Sequence, residues 1–284
     1  MKGGELSPPF YCAAVSFADV SSANVVGYAG VQLNAGGKNM AGAVFVSVGN
    51  RDKQMRLSEL KITGYEGNEY YLTEECAFVL TFQIRNSNGS PKFTYQWADE
   101  SDGESTWNGG VWSDTDTGAV ISKDNDVFFN AGDALWIQTP DLQGSEAFYL
   151  QSSGEVVLGD CGVELNAGGK CAVCNMLPAP TGLSKIEIQG YEENEYYLTE
   201  ECAFVLTMQS LKSNGQPQAT YQWADESDGE STWMGGVWSD TDTGAVINDD
   251  NEVTVGAGEG FWLTCPDLQG STAFYFVVPK VIAK

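Results

Sequence analysis

Hydrophobic and polar residues alternate with a period of two along much of this chain. In residues 76–84 (CAFVLTFQI), Cys76, Phe78, Leu80, Phe82 and Ile84 fall on one face, and Ala77, Val79, Thr81 and Gln83 on the other. That is the pattern of a half-buried strand. Similar short runs occupy residues 43–48, 60–63, 93–97, 127–129, 135–139 and 147–150, separated by the clusters SNGS, DESDGES, NAGD and DLQGS. Gly, Asn and Asp in such clusters tolerate left-handed backbone or bond their own main chain, so each predicts a turn. No segment with a 3.6-residue apolar period exceeds two turns of helix. Many short strands at even spacing predict an antiparallel sandwich or barrel with little helix.

The pattern then repeats. Residues 94–121 (TYQWADESDGESTWNGGVWSDTDTGAVI) return at 220–247 with one change, Asn108 to Met234. Residues 65–81 return at 191–207 with Gly67 against Glu193 as the only difference. The openings 25–38 (VVGYAGVQLNAGGK) and 157–170 (VLGDCGVELNAGGK) also align. A period near 130 residues is too long for a solenoid unit and about right for a domain. The expectation is an all-β chain of two tandem antiparallel β-sandwich modules, jelly-roll-like and related by internal duplication, spanning 19–151 and 152–284. Residues 1–18 read as a degenerate export signal, with an apolar stretch ending Ser16-Phe17-Ala18 before Asp19.

Charge narrows the partners. The 39 acidic residues against 14 basic ones give a net charge of -25, which repels nucleic-acid phosphates and anionic lipid and leaves cations and neutral polymers; copies of itself are partners only through strand edges, not through charge. The chain has no histidine, which removes Ser-His and Cys-His nucleophile pairs and His-containing zinc sites. No run reaches 18 apolar residues, so no transmembrane segment is expected.

Seven cysteines are present, and loss of the leader with Cys12 would leave an even number suited to an oxidising compartment. Parity along the predicted strands suggests a bridge between Cys202 and Cys265, while Cys171 and Cys174 suggest a local disulfide in the opening hairpin of module two. The alternative for Cys76 and Cys202 is service as small buried hydrophobes.

The duplicated acidic and aromatic segment is the candidate for chemistry. Trp97, Trp107 and Trp112, with their equivalents Trp223, Trp233 and Trp238, lie among clustered carboxylates. Exposed indole faces beside carboxylates suit a sugar, whose C–H face stacks on the ring while its hydroxyls donate to the acids; the alternative is that some of them plug the sandwich ends. Asp114 and Asp116 before Gly118, and Asp240 and Asp242 before Gly244, resemble the first half of a Ca2+ loop but lack the later bidentate Glu; an Asx-rich turn is the alternative. A carboxylate-based glycoside hydrolase is a less favoured reading. A structural role, with residues 19–26 or 273–278 acting as an edge or donated strand, is another.

Ser22-Ala23-Asn24-Val25-Val26-Gly27-Tyr28, straight after the apolar leader, and Ala257-Gly258-Glu259-Gly260-Phe261-Trp262, echoed by Ala131-Gly132-Asp133-Ala134-Leu135-Trp136, resemble a group of uncharacterised exported bacterial tandem-repeat β-proteins. The resemblance covers module edges. It implies export and a β-rich fold, and supplies no catalytic residue. Together these readings predict a secreted or cell-surface, non-enzymatic structural or binding protein, with bivalent polysaccharide binding, assisted by calcium, as the sharper alternative.

Overall fold

The computed structural model describes residues 26–50, 52–67, 77–85, 90–101, 106–140, 148–157, 161–192, 201–211, 216–228, 233–267 and 273–279. Among them the chain is nearly all β. The first half contributes β1 (Val26–Leu33), β2 (Lys38–Ala41), β3 (Gln54–Arg56), β4 (Lys61–Thr63), β5 (Ala77–Arg85), β6 (Pro91–Glu100), β7 (Val111–Asp114), β8 (Phe128–Asn130), β9 (Leu135–Gln138) and β10 (Phe148–Glu155). The second contributes β11 (Cys161–Leu165), β12 (Lys170–Cys174), β13 (Thr181–Gly182), β14 (Glu187–Gln189), β15 (Glu201–Leu211), β16 (Pro217–Asp228), β17 (Val237–Asp240), β18 (Thr254–Val255), β19 (Gly260–Thr264) and β20 (Phe274–Val278). Two short 3-10 turns, Leu57–Glu59 and Leu183–Lys185, are the helical pieces described.

All strand pairs are antiparallel. A five-stranded sheet in the order β2-β9-β5-β6-β7 is matched by β12-β19-β15-β16-β17, a three-stranded sheet β1-β10-β4 by β11-β20-β14, and the ribbon β3-β8 by β13-β18. Among the described residues none closes into a barrel. Alternation places the core: in β6 the inward residues are Tyr95, Trp97 and Asp99, and in β10 Phe148, Leu150, Ser152 and Gly154. Each half gathers an apolar cluster, one around Phe82, Trp112 and Ile137, the other around Leu206, Trp238 and Phe276, and the second also takes in Val46 from the first half.

Several predicted strands are observed, some longer. Residues 93–97 extend to β6 and 147–150 to β10, which runs past the expected boundary at 151 and pairs with β1 through Glu155. Residues 43–48 depart from expectation. They form no strand; Ala43 to Ser47 are all buried, with one isolated bridge between Val46 and Glu155. An apolar run enclosed on all sides lacks the alternation that marks a two-faced strand, so composition overstated its β character. Residues 274–278 pair inside their own half, between β11 and β14, rather than serving as a donated strand. Residues 1–25, with the leader and the proposed edge segment up to residue 25, lie outside the described residues.

The halves meet through a face that repeats itself. Gly42 N–H donates to Gly258 O at 2.9 Å, and the equivalent Cys174 N–H donates to Gly132 O at 2.8 Å. Bridges Ala41–Glu259 and Asp133–Val173 are equivalents in the same way. Trp136 faces its own counterpart Trp262 with ring centroids 6.3 Å apart, over a small cluster of Met40, Ala134 and Cys174. Such reciprocity is the signature of an isologous, two-fold-like contact, here within one chain.

Candidate functional site

The near-identical repeats build the same polar knot in each half. Strand β6 turns Trp97 and Asp99 inward, and the turn after β4 brings Tyr65 over them. The Tyr65 hydroxyl donates to Asp99 Oδ2 at 2.6 Å, and Tyr191 to Asp225 Oδ2 at 2.7 Å. These are short, charge-assisted bonds on carboxylates that are only 4% exposed. Burial, reinforced by the neighbouring carboxylate, pushes both tyrosine hydroxyls well above their ordinary pKa. Each Tyr meets a half-buried Trp edge-on: Trp107 stands 5.0 Å from Tyr65 at 88°, Trp233 5.0 Å from Tyr191 at 89°. The two indole N–H groups donate to Glu66 O and Glu192 O, both at 3.1 Å.

Of the six candidate indoles, four lie in the cores. Trp97 and Trp223 are 6% exposed, Trp112 2% and Trp238 1%. The exposure that stacking requires is therefore missing at these four, which act as ring-on-ring packing at 5.4 Å (Trp97–Trp112) and 5.6 Å (Trp223–Trp238). Close approach of the backbone makes this possible: a Cβ on Gly110 or Gly236 would sit 2.2 Å from the Trp97 or Trp223 ring. Trp107 and Trp233 remain partly open.

In the second half the knot floors an open cleft of ≈ 880 Å³, lined by Tyr191, Trp223, Asp225, Trp233 and Gly235 and rimmed by Glu187, Gln189 and Glu192. One difference between the halves is found here. In the first, Asp99 Oδ1 accepts the Glu100 N–H at 2.9 Å, and Trp97 Nε1–H reaches the Tyr65 hydroxyl at 3.4 Å. In the second, Asp225 Oδ1 is buried without a partner, while Trp223 still acts on the Tyr191 hydroxyl through a looser contact. A lone buried acceptor costs free energy until a donor satisfies it. The sequence signalled the Trp residues and the acids; it did not signal Tyr65 and Tyr191, although the repeat 65–81 and 191–207 begins on them.

The acidic turns take their own shape. Asp114 Oδ1 accepts the N–H groups of Asp116 (2.9 Å) and Thr117 (2.8 Å) and the Thr117 hydroxyl (3.0 Å). Asp240 does the same with Asp242 (3.0 Å) and Thr243 (2.8 and 2.9 Å). These are Asx turns. Asp116 and Asp242 are exposed, and among the described residues no group of three or more His, Cys, Asp or Glu could hold a metal ion. Of the carboxylates from Asp99 to Glu104, which could complete such a loop across the hairpin, Asp102 and Glu104 lie outside the described residues.

Hydrogen bonds from the Thr117 and Thr243 backbones hold both carboxyls below the usual value of 3.8. A carboxyl whose folded pKa is depressed adds stability above its unfolded pKa and loses it as pH falls through the folded one. Asn keeps the turn without titrating. The double variant Asp114→Asn/Asp240→Asn should therefore lose less melting temperature than wild type between about pH 6 and about pH 3. Equal losses in parallel thermal melts would show that these turns play no part in acid lability.

The expected bridges are not made. Strand register pairs Thr207 with Thr264, and Cys202 with Ser227. Cys202 thus lies four residues up β15 from the position opposite Cys265, roughly 13 Å away, beyond the ≈ 7 Å Cα limit of a disulfide. Cys171 and Cys174 lie on opposite faces of β12 and are both free and buried. Parity in sequence identifies a face but not a register, which explains the miss.

Compared with protein-family models, with curated proteins and with solved structures, the chain matches none. Among the described residues no helix is long and apolar enough to cross a membrane.

Proposed function

We propose that the chain is an exported, non-enzymatic binding protein of two duplicated antiparallel β-sandwich modules, acting outside the cell or at its surface, and that it binds a neutral oligosaccharide in the aromatic and acidic cleft. The observation that supports this best is the second-half cleft, where half-buried Trp233 stands beside buried Asp225, whose Oδ1 has no partner. A polyol hydroxyl is a fitting donor to a carboxylate, and its C–H face suits the indole of Trp233. Acidic rim residues and a net charge of -25 disfavour polyanionic glycans.

The same knot recurs in the first half, but there the Asp99 and Trp97 polar atoms have partners and Lys61 stands in place of Glu187, so that site would be the weaker of two. Tandem sites would raise avidity on a polymer. Titrating the intact chain with neutral oligosaccharides should give saturable Trp fluorescence changes, and Trp233→Ala should weaken binding at least about tenfold without changing the fold. No saturable response across a panel of neutral glycans would end this reading.

A structural role is the second reading, supported by the reciprocal contact between the halves, which makes the pair a ready-made rigid spacer. Light scattering that rises with concentration while sugars leave fluorescence unchanged would favour it.

A further inference from the structure

The two halves solve the same corner differently. Where β2 leaves its turn, Asn39 and Thr139 clasp in the first half: Asn39 Oδ1 accepts the Asn34 N–H at 2.8 Å, and Asn39 Nδ2 reaches Thr139 Oγ1 at 3.5 Å. In the second half, cysteines occupy both equivalent positions. Cys171 Sγ accepts the Asn166 N–H at 3.0 Å and lies 3.9 Å from Cys265 Sγ. The backbone around them is unchanged, with Thr139 N–H to Gly37 O and Cys265 N–H to Gly169 O both at 2.9 Å. A polar clasp replaced by a pair of thiols in contact is more than two scattered small hydrophobes.

We propose that Cys171 and Cys265 are the site of a disulfide cross-link, closed by exchange with a small disulfide oxidant. The thiols touch on the diagonal of neighbouring strands, Cys171 lying opposite Leu263 and Cys265 two residues further on, and closing from 3.9 Å to the bonded ≈ 2.05 Å needs a side-chain rotation and a backbone approach at Cys265, which lies just past the end of β19. Cys174, three residues on in the same strand, faces the other side of β12 toward Asp133 O at 3.8 Å.

The chemistry is ordered by the pair itself. Contact with Cys265 and the Asn166 N–H lower the Cys171 thiol below its usual value, while the same contact and burial push Cys265 up. Cys171, which lines a cavity that Cys265 does not, is the thiol that meets the oxidant first. It attacks one sulfur of the oxidant, forming a mixed disulfide and releasing one thiolate. Cys265 then gives its proton to that thiolate and attacks Cys171 Sγ, expelling the second half of the oxidant as a thiolate that takes a proton from water. Two protein thiols lose two electrons and two protons, and one oxidant disulfide becomes two thiols. Both cysteines are buried, but Cys171 lines a cavity of ≈ 300 Å³ beside Lys170, Asn130 and Asp133, so the oxidant is a small molecule rather than a folded protein.

The test uses the full chain with oxidised glutathione, followed by alkylation and non-reducing peptide mapping. Wild type and Cys174→Ala should both yield a peptide joined through Cys171 and Cys265, reversed by dithiothreitol. Oxidation should raise the melting temperature by on the order of 5–10 °C. The double variant Cys171→Asn/Cys265→Thr copies the first half's clasp; it should fold, give no such peptide and show no oxidation-dependent shift. Glutathione retained on Cys171 without the cross-link, both thiols left alkylatable, or Cys265 joined to another cysteine would each overturn the proposal.

Discussion

Replacing Trp238 with alanine is expected to destabilise the second half by about 3–5 kcal/mol, and Trp112→Ala the first half by a similar amount. Both indoles sit at the centre of their cores, at 1% and 2% exposure. Each packs on three kinds of neighbour at once: the second buried indole, the strand carpet beneath it and the 3-10 turn above it. Trp238 Nε1–H donates to Ile186 O at 2.8 Å, and Trp112 Nε1–H to Leu60 O at 2.9 Å. Alanine therefore opens a cavity and also leaves a buried carbonyl at the end of each turn without its donor, a further cost. Against a typical domain stability of about 5–15 kcal/mol, this is a large fraction. Phenylalanine separates the contributions, because it keeps most of the ring volume and removes only the N–H; Trp238→Phe should fall well short of the alanine loss. Urea melts of the three variants measure this, and a Trp238→Ala loss within about 1 kcal/mol of wild type would mean that the indole is not the keystone its contacts imply.

These same residues show what a sequence can and cannot reveal. The alternation in β5 and β6 is legible because each strand has one wet and one dry face, so Phe82 and Trp97 point inward as parity requires. Residues 43–47 mislead for the opposite reason, being dry on all sides. The indoles were legible as a cluster, yet composition alone does not distinguish a ring stacked in a core from one offered to a sugar. What decides it is Gly110 and Gly236, whose missing side chains leave room for Trp97 and Trp223 to close over the backbone. The acidic turns were legible as oxygen-rich loops, but whether Asp114 turns its oxygens to solvent or to its own backbone depends on three N–H and O–H donors placed within three residues. The cysteine pairing failed on register, a property of the partner strand and therefore not of the local pattern.

The reciprocal face between the halves was not legible at all, because it depends on glycines at positions that only the folded chain brings together, and it carries the other large expected effect. Gly258 has φ +67°, and a Cβ there would lie 2.4 Å from Val31 Cγ2 and 2.8 Å from Gly42 O. Its counterpart Gly132 has φ +90°, with a Cβ 2.3 Å from Val163 Cγ2 and 2.6 Å from Met176 Cε. A β-branched residue at either position meets left-handed backbone, costing roughly 1–2 kcal/mol, as well as a steric clash. Each clash is with a residue of the opposite half at the edge of its core, Val163 and Met176 in one and Val31 in the other, so separating the halves relieves it without unfolding either. Gly258→Val is expected to turn a single calorimetric transition into two, lower the first of them by on the order of 5 °C, and change the fluorescence of Trp136 and Trp262 as their contact opens. Because the face is two-fold-like, Gly132→Val should do the same with similar size, and the double variant should add little, since the second substitution acts on an interface already lost. Unsplit transitions at wild-type temperature in both single variants would show that the halves unfold independently and that their contact, though reciprocal, transmits no stability.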